Sequence, residues 1–191
     1  VILIVGLGNP GPRYTATRHN VGFRVVERLV ERARGGPFRD KFQGQLASLS
    51  LGSVPCLALL PQTFMNESGR SVRACAAFYK LTAADVAVVH DELDVPLGEV
   101  RLKLGGGDAG HRGIRSIAAE LGSQEFVRVR VGIGRPPPDF RGDPADYVLD
   151  GFPLADQPGV EAMLDRAVEA ITLFVERGLS SAMNVINQRK P

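Results

Sequence analysis

Residues 1–5, VILIV, form an unbroken apolar run that stops at Gly6. Such a run suits a strand covered on both faces, as in a sheet with helices on either side. Residues 86–89 repeat the pattern. Between these runs the apolar spacing changes period. Val21, Val25 and Leu29, with Val26 and Val30 beside them, form a stripe that predicts a helix with Asn20 as its N-cap. Gly35, Gly36 and Pro37 end it. Residues 45–51 and 56–60 predict a hairpin, and Val72, Cys75, Ala76 and Tyr79 predict a second helix beginning near Asn66.

Further along, residues 99–104 and 126–133 alternate between polar and apolar, so each predicts a strand with one face in a core. A glycine-rich loop, residues 105–110, leads into a helix that runs to about Leu121. Residues 136–158 make a long connection with little regular patterning. A last long helix is expected over 160–175 and a short one over 182–186. Strands alternating with helices predict an α/β fold, a single-domain three-layer sandwich whose central sheet is mixed, mostly parallel and twisted. A chain of 191 residues that is 44% hydrophobic is sufficient for one such core.

Bulk properties exclude little else. A formal charge of +2 neither demands nor excludes a nucleic-acid partner. Cys56 and Cys75 have neither CxxC spacing nor paired histidines, so they read as reduced, buried thiols rather than a zinc site. No apolar run approaches the roughly 18 residues of a membrane helix, and no signal-peptide pattern opens the sequence. The expectation is a cytoplasmic protein without a membrane partner.

Three polar residues follow apolar strands where the chain turns away: Asn9, Asn66 and Asp91. In open α/β sheets sites gather beyond the carboxyl ends of strands, so parallel strands would bring the three to one cleft. Each taken alone is an ordinary turn or cap residue. His19 joins them just before the helix that Asn20 begins. A helix N-terminus favours neutral imidazole, and a carboxylate would hold its tautomer; Asp91 is the best candidate. Period-two alternation points His90 away from Asp91, a structural placement. His111, at the start of a helix, is either a helix-end polar group or a substrate contact.

Several other signals are weaker. Residues 6–11 match GxGxxG, but Pro10 and Pro12 stiffen the turn, and no second apolar strand ending in an acid follows, so a dinucleotide site is not expected. Asp91, Glu92 and Asp94 lack converging ligands, so no metal is expected. The loop at 105–110 lacks the GK[ST] of a phosphate loop and reads as a mobile flap. Arg101 and Lys103 are expected to face outward between Val100, Leu102 and Leu104, as are Arg128 and Arg130 between Val127, Val129 and Val131. That patch either clamps a phosphate or is a solvated strand face.

Taken together, GLGNPGPRYTATRHNVGF at 6–23, TFMNESGRSV at 63–72, HDELDVPLGEVRLKLGGGDAGHRG at 90–113 and RVRVGIGRP at 128–136 resemble the bacterial-type peptidyl-tRNA hydrolase family. The resemblance covers nearly the whole chain. It implies an esterase that releases the peptide from the 3'-terminal ribose of tRNA without metal or cofactor, as a monomer that meets the CCA end and acceptor stem. It further implies that His19 is the catalytic base, that Asp91 orients it, and that Asn9 and Asn66 position substrate and water. Tyr14 and Met65 would line the cleft, Lys103 and Arg130 would clamp a tRNA phosphate, and segments near 105–113 and 140–155 would act as flaps.

Two positions depart from the family pattern. Arg112 stands where asparagine is common after His111, and Asp108 where histidine is common. A guanidinium only donates, so Arg112 cannot reproduce an amide's paired donor and acceptor; it stays a substrate-binding candidate beside His111, with contacts that differ in detail from the family's. No serine or cysteine has a nucleophile setting such as GxSxG, which favours direct attack by water. Two alternatives stand beside the esterase: a non-catalytic RNA-binding module using the basic strands, and a nucleotide-dependent enzyme using the first glycine turn.

Overall fold

The computed structural model describes residues 1–188. In chain order the elements are β1 (Ile2–Gly6), α1 (Val21–Arg32), β2 (Arg39–Lys41), β3 (Gly44–Leu51), β4 (Val54–Pro61), α2 (Ser68–Phe78), β5 (Val86–Glu92), β6 (Val100–Leu104), α3 (Arg112–Leu121), β7 (Val127–Gly132), α4 (Pro144–Val148), α5 (Gln157–Arg177) and α6 (Leu179–Ile186). One sheet holds all seven strands in the order β2-β3-β4-β1-β5-β7-β6. At its centre β4, β1, β5 and β7 run parallel, while β3 and β6 run against them.

Alternation along the central strands divides the apolar residues into two layers. Ile4, Ala58, Val89, Val129 and Val131 pack beneath α1, α5 and α6. Leu3, Val5, Leu59, Val86 and Val88 pack on the other side, beneath α2 and α3. Complete burial of a side chain such as Leu3 or Leu29 contributes about 1.5–3 kcal/mol, which is why β1, covered on both sides, reads as an unbroken apolar run. Cys56 and Cys75 lie in opposite layers, both buried and unpaired. Burial pushes the Cys75 thiol up to about 11.

The strand β1 has β4 on one side and β5 on the other, so the chain leaves it in both directions. That switch point opens a crevice beyond the carboxyl ends of these strands. Two glycines let the start of α1 close against it. A Cβ on Gly6 would meet the Gly22 carbonyl oxygen at 2.5 Å, and a Cβ on Gly22 would run into the Val89 carbonyl oxygen and the Leu7 backbone. The turn just before α1, which contains His19, is therefore pressed onto the ends of β1 and β5.

Several local expectations are corrected. The short edge strand β2 carries no signal in the sequence, because its three residues, Arg39, Asp40 and Lys41, are all exposed and show no alternation. Within 136–158 the chain forms α4, started by an Asp143–Asp146 capping box. Leu104 is 52% exposed rather than in a core, since β6 is the sheet edge and its last residues have little above them. Arg128 is 4% exposed rather than facing solvent, because the glycine loop covers that part of β7. Asn20 precedes α1 but its side chain does not cap the helix. Among the described residues no helix is long and apolar enough to cross a membrane.

Candidate active site

Asp91 sits near the end of β5, with its side chain almost wholly buried. Each of its oxygens meets a different histidine. His19 Nδ1 lies 2.8 Å from Oδ2, and His111 Nε2 lies 2.8 Å from Oδ1. The other nitrogen of His111, Nδ1, accepts the Ile114 N–H as the N-cap of α3, so Nε2 carries the proton that it donates to Asp91. An ionised carboxylate only accepts, which places the proton of His19 on Nδ1 and leaves its Nε2 as a lone pair.

The electrostatics follow from this sharing. Burial opposes ionisation of Asp91, but the charges of His19 and His111 and the bonds from both hold it well below the usual carboxylate range. For His19, burial works against the imidazolium; the charge and hydrogen bond of Asp91 outweigh it and raise the pKa, while the nearby Arg112 guanidinium takes part of that rise back. His90 projects to the opposite face of β5, where burial and His111 push it down to about 3. Its Nδ1 donates to the Asp91 backbone carbonyl, and its ring lies 5.1 Å from that of His111. All three histidines of the chain thus stand in file at Asp91.

Asn9 follows β1 and is 8% exposed. Its backbone N–H and carbonyl are taken by the Asn20 side chain, at 2.9 Å each, and its Oδ1 accepts the Met65 N–H at 2.8 Å. These bonds leave the Asn9 amide nitrogen as its unused donor. A cleft of about 530 Å³ is lined by Asn9, His19, Met65, Asn66, Asp91 and His111, with Arg112 among the residues at its edge. A slightly larger hollow, about 580 Å³, lies behind Asn9 against α1, but it holds no histidine. The cluster of histidines around Asp91 belongs to the first cleft, whereas the second is lined by the carboxylates Glu27 and Glu31.

Two buried arginines hold the walls of this cleft. Arg18, next to His19, donates to the Tyr147 carbonyl at 3.0 Å and stacks on the Tyr147 ring at 3.8 Å, fastening α4. The α4 segment contributes Pro144, Ala145, Val148 and Leu149 to the cleft. Arg128 donates to carbonyls of the glycine loop. The sequence marks neither arginine as buried, since burial of a cation depends on what folds over it.

Other expected site residues lie further out. Tyr14, half-buried in a 3-10 turn, is not among the residues lining the cleft. Lys103 and Arg130 share one face of β6 and β7 as diagonal neighbours, Lys103 opposite Arg128 and Arg130 opposite Arg101. Arg130 Nε donates to Glu92, which lines the cleft. His19, Asp91 and His111 offer ligand atoms within 4.8 Å of one another, and they are the group among the described residues able to hold a metal. The two histidine nitrogens are already bonded to the Asp91 carboxylate, one to each oxygen, and His111 Nε2 would have to lose its proton to bind a metal.

The arrangement can take a proton from water at His19 Nε2 and hold the resulting charge against Asp91. A family model described as peptidyl-tRNA hydrolase matches residues 3–191. A peptidyl-tRNA hydrolase of Sorangium cellulosum is 49% identical over 189 residues, 99% of this chain and 85% of that protein. One of Solidesulfovibrio magneticus is 53% identical, over 94% of this chain and 90% of its own length. The crystal structure of peptidyl-tRNA hydrolase from Acinetobacter baumannii superposes with a TM-score of 0.91 at 39% identity, covering 100% of this chain and 96% of that one.

Proposed function

The chain belongs to the peptidyl-tRNA hydrolase family, whose members cut the ester bond of peptidyl-tRNA, and we propose that it does so through His19 acting as a general base on water. The observation that supports this most directly is the Asp91 carboxylate shared between His19 and His111.

Neutral His19 takes a proton from a water at Nε2, and the water oxygen attacks the carbonyl carbon of the ester. The amide nitrogens of Asn9 and Asn66 supply donors for the water and for the oxyanion that forms. Collapse of the tetrahedral intermediate breaks the bond to the terminal ribose oxygen, which takes the proton back from His19. The peptide acid gives up its proton to solvent, and peptide carboxylate and free tRNA leave. Asp91 holds the ring in one tautomer and stabilises the transient imidazolium, and His111 holds Asp91.

Met65 serves the substrate side of the cleft, and Tyr14, outside its lining, meets the part of the substrate that lies beyond it. Arg112, with no ion-pair partner among the described residues, offers its guanidinium to an anionic group of the substrate where an amide is common in the family. Lys103 and Arg130 hold a phosphate of the acceptor arm while the CCA end enters the cleft. The whole chain, residues 1–191, serves as one hydrolase domain, with covers near 105–113 and 140–155. It works in the cytoplasm as a monomer, since one chain supplies every group named. Incubation with a purified N-blocked aminoacyl-tRNA should release the acyl group. Release that persists unchanged in His19→Ala would overturn the assignment.

A further inference from the structure

Arg128 occupies the middle of β7, a place where a cation is costly. Its guanidinium is buried, stacks 4.4 Å above the Phe126 ring, and has no ion pair among the described residues. Burial lowers its pKa, the expected direction for a charge taken out of water. Three backbone carbonyls compensate it: Gly107 at 2.6 Å, Gly106 at 2.7 Å and Gln124 at 3.1 Å. Its Nε has no partner among the described residues. Removing one member of such an arrangement exposes the rest to an unmet desolvation cost, so the site is sensitive to small changes.

Two of these carbonyls, those of Gly106 and Gly107, belong to a loop with little else to define it. Gly105, Gly106 and Gly110 have φ of 68°, 105° and 84°, and Ala109 is at 48°. Glycines of this kind leave many backbone states open. Apart from the Gly105 N–H to the Phe126 carbonyl, Arg128 supplies the bonds that seat the first half of the loop. The second half is tied by Asp108, whose carboxylate accepts Gly110 N–H and Arg115 Nε–H and whose carbonyl accepts His111 N–H. Four residues beyond Gly107 the chain reaches His111, which donates to Asp91.

We propose that Arg128 is a positioning residue for hydrolysis: its guanidinium seats the glycine loop so that His111 meets Asp91 and the carboxylate stays turned toward His19. The proposal rests on the hydrolase reading of the cleft, although one of its readouts does not. The position of Lys103, whose ammonium would lie 2.6 Å from a Cβ on Gly106, gives the loop a second neighbour on the same strand face. The loop thus runs between the cationic face of β6 and β7 at one end and the Asp91 cluster at the other.

Arg128→Lys and Arg128→Met test it. Lysine keeps the charge but cannot reach three carbonyls at once, and methionine keeps the packing without donors. Misplacement by a fraction of an ångström at the catalytic groups lowers kcat by about 10- to 10²-fold; we expect a loss of that size in Arg128→Met, a smaller one in Arg128→Lys, and KM within about threefold in both. The pH profile of kcat/KM should shift as well, because His19 loses a fixed carboxylate. Since the chain has three histidines, imidazole 15N spectra give a second readout, and in Arg128→Lys the His111 Nε2–H signal should move or broaden. A folded Arg128→Lys with wild-type kcat, pH profile and His111 signal would overturn the proposal. If Arg128→Met does not fold, Arg128→Lys and the spectra decide. Failure of the wild-type protein to cleave the ester would instead remove the hydrolase reading, while the His111 spectrum would still report on the loop.

Discussion

Asn20 holds Asn9 by both ends of a single amide, accepting the Asn9 N–H on Oδ1 and donating Nδ2–H to the Asn9 carbonyl, each at 2.9 Å. The pair is buried, with Asn20 2% exposed. This bond pair joins the turn after β1 to the turn before α1, and so fixes Asn9 relative to His19.

Asn20→Ala should therefore be costly to both stability and activity. It leaves the Asn9 N–H and carbonyl without partners, at about 1–3 kcal/mol for each buried group orphaned. Chemical denaturation gives the stability change, and steady-state hydrolysis should show a lowered kcat because Asn9 is no longer held. A change within about 0.5 kcal/mol, the range of ordinary surface substitutions, would show that the clamp is dispensable.

His19→Ala should lower kcat by about 10² to 10⁴, the usual contribution of a general base. KM should change little, because the imidazole acts on water rather than on the tRNA. Single-turnover rates on N-blocked aminoacyl-tRNA separate the two effects. A large rise in KM with normal kcat would make His19 a binding residue instead.

The pH dependence has a defined sign. His19 must be neutral to act, and its pKa lies above 6.5, so kcat/KM should rise with pH through that raised value. Arg112→Asn removes a cation that lowers this pKa and should move the acid limb to higher pH. Asp91→Asn removes the charge that raises it, so the limb should move to lower pH while the plateau falls by about 10²-fold or more, as the tautomer is no longer imposed. Limbs that move in the opposite directions would contradict the shared-carboxylate geometry. Stability follows the same groups: the contribution of His19 is present below 6.5 and lost as pH rises through its folded value. That of Asp91 is present above its ordinary 3.8 and lost as pH falls toward its lowered value.

Lys103→Ala should weaken tRNA binding without altering the chemical step. The slope of log KM against log salt should fall by about one for each phosphate that is no longer neutralised. Arg130→Ala should do the same and also release Glu92, its partner at 3.0 Å. An unchanged salt dependence in both variants would place the phosphate elsewhere.

Much of this protein was legible in its residues because the relevant signals are local. An apolar run must be buried on both faces, which made β1 and β5 internal strands; a period of 3.6 made α1 and α2 helices; residues after strand ends marked Asn9, Asn66 and Asp91. Tertiary structure decided what depends on distant chain meeting. The alternation of β7 shows Arg128 and Arg130 as equivalent, yet the glycine loop folds over Arg128 and leaves Arg130 half-exposed beside Glu92. Asn20 has the composition of a cap, but Asn9, eleven residues earlier, takes both ends of its amide. Whether His111 is a helix end or part of the site could be answered only by placing α3 against β5, where its two nitrogens do both. Periodicity records which face of an element is buried; hydrogen-bond partners far apart in sequence leave no periodicity to read.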